Sequence, residues 1–80
     1  MELKEQILEI LEELAPGIDY ASCTTLIDDR HIDSLAMVAL IAELEEVFDV
    51  EIPPVLIVPA NFNSLDAICA LVKKLQDEAY

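Results

Sequence analysis

A single glycine, Gly17, serves the whole chain, and that scarcity excludes much of what 80 residues can become. β-Hairpin turns repeatedly need residues that tolerate positive φ, so an all-β fold is poorly supplied. A phosphate-cradling loop needs several closely spaced glycines and is equally out of reach. With 55% of residues hydrophobic and only 5% aromatic, the core must come from Leu, Ile, Val and Ala. That composition suits packed helices. The length predicts one domain, residues 1–80, near the lower limit for a core without metal or disulfide.

Helical periodicity and breakers divide the chain. Leu3, Ile7, Ile10, Leu11 and Leu14 recur at helical spacing with glutamates between them, which predicts an amphipathic first helix stopped by Ala15-Pro16-Gly17. An irregular connection follows as far as Ile32. Asp33 is placed to cap a second helix running to about Phe48, with Ser34 opening it. At 100° per residue, Met37, Leu40, Ile41, Leu44, Val47 and Phe48 share one face, expected to be the core face. Leu35, Val38 and Ala42, continued by Glu45 and Glu46, form a second stripe on the flank beside Ser34, and one core does not require two stripes. Between the breaks at Ile52-Pro53-Pro54 and Pro59, Val55-Leu56-Ile57-Val58 has room for a short third helix only. Asn63, with Asp66 three residues on, resembles a capping box for a final helix. Its expected buried face is Leu65, Ile68, Cys69, Val72 and Leu75, with Lys73 and Lys74 near its negative C-terminal end.

Charge narrows the partners. Seventeen acidic against four basic side chains, a net charge of −13, repel nucleic-acid phosphate and anionic lipid and suit docking onto basic protein patches. Ile52–Leu65, the longest uncharged stretch, contains three prolines and is too short to span a bilayer. Met1-Glu2-Leu3-Lys4-Glu5 shows no basic region followed by an apolar run, so a cytoplasmic protein is expected; a monomer is expected as well.

Self-contained catalysis lacks its parts. His31 is the only histidine and nothing pairs it with a nucleophile. Cys23 and Cys69 have no CxxC spacing, so neither a zinc site nor a disulfide framework is expected; Cys69 fits a core position, and Cys23 and His31 receive no role. Asp28, Asp29, His31 and Asp33 lack the central glycine and distant glutamate of a calcium loop, so no metal site is expected.

The segment Leu26-Ile27-Asp28-Asp29-Arg30-His31-Ile32-Asp33-Ser34-Leu35, together with Phe48-Asp49-Val50-Glu51-Ile52-Pro53, resembles the acyl carrier and peptidyl (D-alanyl) carrier family. The resemblance runs over nearly the whole chain. It implies an all-α four-helix bundle of the acyl carrier type, with three main helices and a short third. It also implies covalent 4′-phosphopantetheine on Ser34, within Asp33-Ser34-Leu35, transferred from coenzyme A by a phosphopantetheinyl transferase. The cargo then rides as a thioester between an acyl transferase, synthase or adenylating ligase. Asp33 would help to position the transferase's metal ion, and Leu35, Val38, Ala42, Glu45 and Glu46 would dock partners. Fatty acyl, polyketide, nonribosomal peptide and D-alanyl cargo all stay open, with Ile32 before Asp33-Ser34 resembling the stand-alone D-alanyl carriers, which often have leucine there, and pointing toward a discrete carrier loaded by a dedicated adenylating ligase. Independently of the resemblance, a serine in a first helical turn lies near unpaired N–H groups and the positive end of the dipole, which suits an anionic ester.

The chain departs from the family pattern at His31, where glycine is common, at Ala36 and Ala39, where acids are common, and at Val55–Val58, where fatty-acid carriers have acids. These departures bear on which synthase or ligase is served and leave the attachment motif intact. Two alternatives of other classes are an unmodified helical adaptor binding its partner through the second helix and a small divalent-ion-binding protein.

Overall fold

A computed structural model describes residues 2–78; Met1, Ala79 and Tyr80 of the expected single-domain span lie outside the described residues. Four α-helices follow one another: α1 (Leu3–Leu14), α2 (Ser34–Phe48), α3 (Pro59–Phe62) and α4 (Leu65–Glu78). No strand occurs among the described residues. The expected all-α bundle with three long helices and a short third is the architecture found. Helix α1 packs against α2 and α4, and α3 packs chiefly against α4.

Each helix carries the boundary chemistry that its sequence supplies. Helix α1 ends where Ala15 returns its N–H to Leu11 O at 2.8 Å and Gly17 takes φ +89, a conformation that costs glycine nothing. Helix α2 begins under the Asp33 carboxylate, whose Oδ1 accepts the Ala36 N–H at 2.8 Å. It ends at Asp49, left-handed with φ +53. There the Glu45 side chain reaches forward to accept the Ile52 N–H at 3.0 Å, fastening the segment after α2 to its last turn. Helix α4 is capped by Ser64, whose Oγ accepts the Ala67 N–H at 3.0 Å.

The core is aliphatic apart from Tyr20 and Phe62. Ile7, Ile10 and Leu11 of α1, Leu40 and Leu44 of α2, Phe62 of α3, and Leu65, Ile68, Leu71 and Val72 of α4 are buried together. The connection between α1 and α2 also belongs to this core. Tyr20, Leu26 and Ile32 are buried in it, and the Tyr20 hydroxyl reaches the carbonyls of Leu11 and Ala15 at the end of α1.

Several expectations are corrected. The short third helix does not lie over Val55–Val58: Pro54–Leu56 forms a 3₁₀ turn and α3 starts at Pro59, where the fixed proline φ suits a first helical position. Val47 is 47% exposed rather than core, because the buried side of α2 is narrow and only Leu40 and Leu44 are fully covered. On α4 Leu71 is buried, whereas Cys69 and Leu75 are partly buried against the core. Asn63 does not cap α4, because its side chain is occupied elsewhere. Lys73 and Lys74 stand before the last described turn of α4 and so miss its dipole end.

Candidate functional site

Ser34 is the first residue of α2, and its side chain is exposed. The Asp33 cap takes the Ala36 N–H, while the other N–H groups of a first turn have no partner within their own helix. The hydroxyl therefore stands at the positive end of a 15-residue helix. An open cleft of about 640 Å³ adjoins it. Its lining mixes polar and apolar groups. Arg30, Asp33 and Ser34 supply polar groups, and Ile27, Ile32, Met37 and Ile57 supply apolar surface.

The loop side of this cleft is held by Asn63. Its Oδ1 accepts the N–H groups of Ile27 and Asp28 at 3.0 and 3.1 Å, and its Nδ2 donates to Asp28 Oδ2 at 3.2 Å. Its backbone carbonyl accepts the Leu26 N–H at 2.9 Å. One side chain at the end of α3 thus ties down the segment leading into Ser34. Nearby, Thr25 donates to Asp29 Oδ2, and Ile32 returns its N–H to Leu26 O at 3.0 Å.

The second stripe of α2 is outward-facing. Leu35 is 83% and Val38 68% exposed, with Ala42 and Glu46 also exposed. Glu45 differs, being half-buried with its carboxylate holding Ile52. Val55 at 78% exposure extends the apolar surface of the molecule beyond α2. Leu56 packs against the core, whereas Ile57 lines the cleft. Among the described residues no group of three or more His, Cys, Asp and Glu side chains is gathered to hold a metal ion.

From the sequence, Arg30 receives no role of its own and Asn63 is placed as a helix cap rather than at this site. For Arg30 a signal was available, since it is the only cation between Lys4 and Lys73. For Asn63 none was, because a capping asparagine and a loop-clasping asparagine look alike without the fold. Cys69 stays outside the site, on α4, where burial first and Asp66 second push its thiol pKa up against the opposing pull of Lys4.

A family model described as "Phosphopantetheine attachment site" matches residues 2–72, which contain the capped serine, the cleft and the core of all four helices. The chain belongs to that family. It is a carrier protein that works with partner enzymes, not an enzyme itself, and its prosthetic group is covalent 4′-phosphopantetheine. The unmodified-adaptor alternative is not favoured. The residues beside Ser34 fit such a group, since an exposed hydroxyl, a helix N-terminus and a cleft with both polar and apolar lining match a phosphodiester followed by a less polar arm. The carrier is similar to proteins named D-alanyl carrier protein. The one from Lactococcus lactis subsp. lactis (strain IL1403) is 31% identical over 78 residues, covering 95% of this chain and 99% of the relative. The one from Lactobacillus delbrueckii subsp. bulgaricus (strain ATCC BAA-365 / Lb-18) is 32% identical over 80 residues, covering 98% and 99%. The one from Listeria monocytogenes serovar 1/2a is 38% identical over 55 residues, covering 66% and 70%.

Proposed function

We propose that Ser34 bears the arm, that Asp33 organises its attachment, and that the cargo is aminoacyl, of the D-alanyl type. The observation that carries the first statement is an exposed serine hydroxyl at the start of a long helix with a cleft beside it. A phosphopantetheinyl transferase joins Ser34 Oγ to the phosphorus of the arm's phosphate. The diphosphate P–O bond of coenzyme A breaks, adenosine 3′,5′-bisphosphate leaves, and the serine proton passes to a base of the transferase. The bound arm supplies a terminal thiol for thioester chemistry.

This chain's own residues present the arm. Asp33 fixes the first turn, and its second carboxylate oxygen is available toward the transferase's metal ion. Leu35, Val38 and Ala42, beside Glu46, form a docking face apolar at its centre and acidic at its rim, and Glu45 adds charge while holding Ile52. The aminoacyl assignment draws on the D-alanyl carrier relatives, which are aligned with nearly the full chain, and on Ile32, the apolar residue before Asp33-Ser34. Loading falls to an ATP-dependent adenylating ligase. No helix among the described residues is long and apolar enough to cross a membrane. We place the carrier in the cytoplasm as a monomer without nucleic-acid or membrane partners, in keeping with its net charge of −13.

Coexpression with a phosphopantetheinyl transferase tests the attachment. Intact mass should show one phosphopantetheinyl group on the wild-type chain and none on Ser34→Ala. Modification that persists in Ser34→Ala refutes the assignment.

A further inference from the structure

Arg30 stands out on two unrelated grounds. Its backbone is left-handed, φ +58, a region that glycine occupies freely and a residue with a Cβ does not. Its side chain lines the cleft beside Ser34 in a chain with only four basic residues. The acids around it each hold a hydrogen bond to another group. Asp28 bonds the Asn63 side chain, Asp29 accepts from Thr25, and Asp33 caps α2. Among the described residues the ion pair is Lys4–Asp66, on the α1–α4 side, and Arg30 has none. In a molecule with so many carboxylates, an arginine without an ion pair, held in a costly backbone conformation at the mouth of a cleft, has a side-chain role to explain.

We infer that Arg30 is a positioning residue for the arm: its guanidinium binds the phosphodiester attached at Ser34 and directs the arm into the cleft between Ile27 and Ile57. The inference rests on the Ser34 reading. A planar guanidinium offers paired donors to two phosphate oxygens, which a lysine ammonium cannot do in the same geometry. The N-terminus of α2, which Ser34 opens, favours the same anionic group. The phosphate thereby gives a partner to the one cation that lines this cleft, and the apolar lining receives the less polar part of the arm.

The test uses the holo protein, made with a phosphopantetheinyl transferase and coenzyme A, with peptide mapping of the modified residue. ³¹P NMR of the phosphodiester and the Nε–H resonance of Arg30 are recorded for wild type, Arg30→Gly, Arg30→Gln and Arg30→Lys, at low and high salt. Glycine removes both the charge and the backbone cost, glutamine removes the charge alone, and lysine keeps the charge. The expected result is a large apo-to-holo shift of the Arg30 Nε–H. The ³¹P resonance should move toward that of the same phosphodiester in the denatured holo chain in both Arg30→Gly and Arg30→Gln, and only part-way in Arg30→Lys. High salt should move the wild-type resonance in the same direction. A ³¹P position indifferent to the glycine and glutamine substitutions, or one that follows the backbone change alone, overturns the role of Arg30 while leaving Ser34 as the attachment point. An arm mapped to another residue overturns both.

Discussion

Ser34 contributes a hydroxyl and little else, since its side chain is exposed and the cap of α2 comes from Asp33. Ser34→Ala should therefore keep its helical circular dichroism while losing the arm in intact mass. Asp33→Ala removes the capping acceptor and should lower stability by about 1 kcal/mol, whereas Asp33→Asn should keep most of the cap. Measuring arm transfer in the asparagine variant separates the cap from any contribution of the charge. Two leucines of α2 make the opposite pair. Leu44 is fully buried and Leu35 is 83% exposed. Leu44→Ala should cost about 2–5 kcal/mol in paired melts, while Leu35→Ala should slow transfer by partner enzymes with little loss of stability. Equal destabilisation by both would remove Leu35 from the docking face. Tyr20 adds a pH dependence. Burial first, then Glu12 and Cys23, raises its pKa above the ordinary 10.0. The unfolded chain then releases the phenolic proton before the folded one does. Stability should be level below pH 10 in this respect and fall as pH climbs from there through the folded-state value. Tyr20→Phe should flatten that part of a pH series of melts, at a baseline cost of about 1 kcal/mol for the lost hydrogen bond.

Among the elements, legibility followed the range of the interactions. Helix α1 and the start of α2 were readable because an amphipathic stripe, a Pro-Gly stop and an aspartate cap are signals internal to each segment. The third helix was misplaced because Val55–Val58 looks like a buried run, whereas three of its four residues are exposed and the adjoining Pro59–Phe62 supplies the buried Phe62. The connection carrying Tyr20, Leu26 and Ile32 has no periodicity to reveal that it is part of the core. Asn63 was assigned to its nearest helix because local spacing cannot register partners 35 and 36 residues away. Its three side-chain bonds to Ile27 and Asp28 make it the element-level determinant of the site. Asn63→Ala leaves those amides without their acceptor and should cost about 1–3 kcal/mol. Amide exchange should accelerate at Ile27 and Asp28 before it does so in α1, and transfer to Ser34 should slow although no atom of the attachment motif has changed. Uniform acceleration throughout the chain would make Asn63 a general stabiliser instead.

For the whole molecule, a net charge of −13 on 80 residues selects partners before any contact forms. Composition alone disclosed that field and a preference for packed helices, and the family resemblance implied the all-α bundle, whereas the cleft beside Ser34 became visible only when Ile27, Met37 and Ile57 came together from three parts of the chain. Where the charge is missing is as informative as where it lies. Ala36 and Ala39 follow Ser34 without the acids common there in the family, and Val55–Val58 puts apolar surface where fatty-acid carriers have acids. Losing such rim charges lowers association rates with basic synthase enzymes more than it alters bound contacts. The same changes leave the capped serine untouched. The dedicated loading enzyme that we propose draws on these departures and on D-alanyl carrier relatives aligned with nearly the full length of the chain. The decisive comparison offers the holo protein malonyl-CoA with a malonyl transferase, and in parallel D-alanine with ATP and an adenylating ligase. Ligase-dependent formation of an aminoacyl thioester, with malonyl loading slower than that of a fatty-acid carrier, is the expected outcome. Malonyl loading as fast as that of a fatty-acid carrier, with no ligase-dependent product from D-alanine or other acids, would assign the cargo to the fatty-acid class instead.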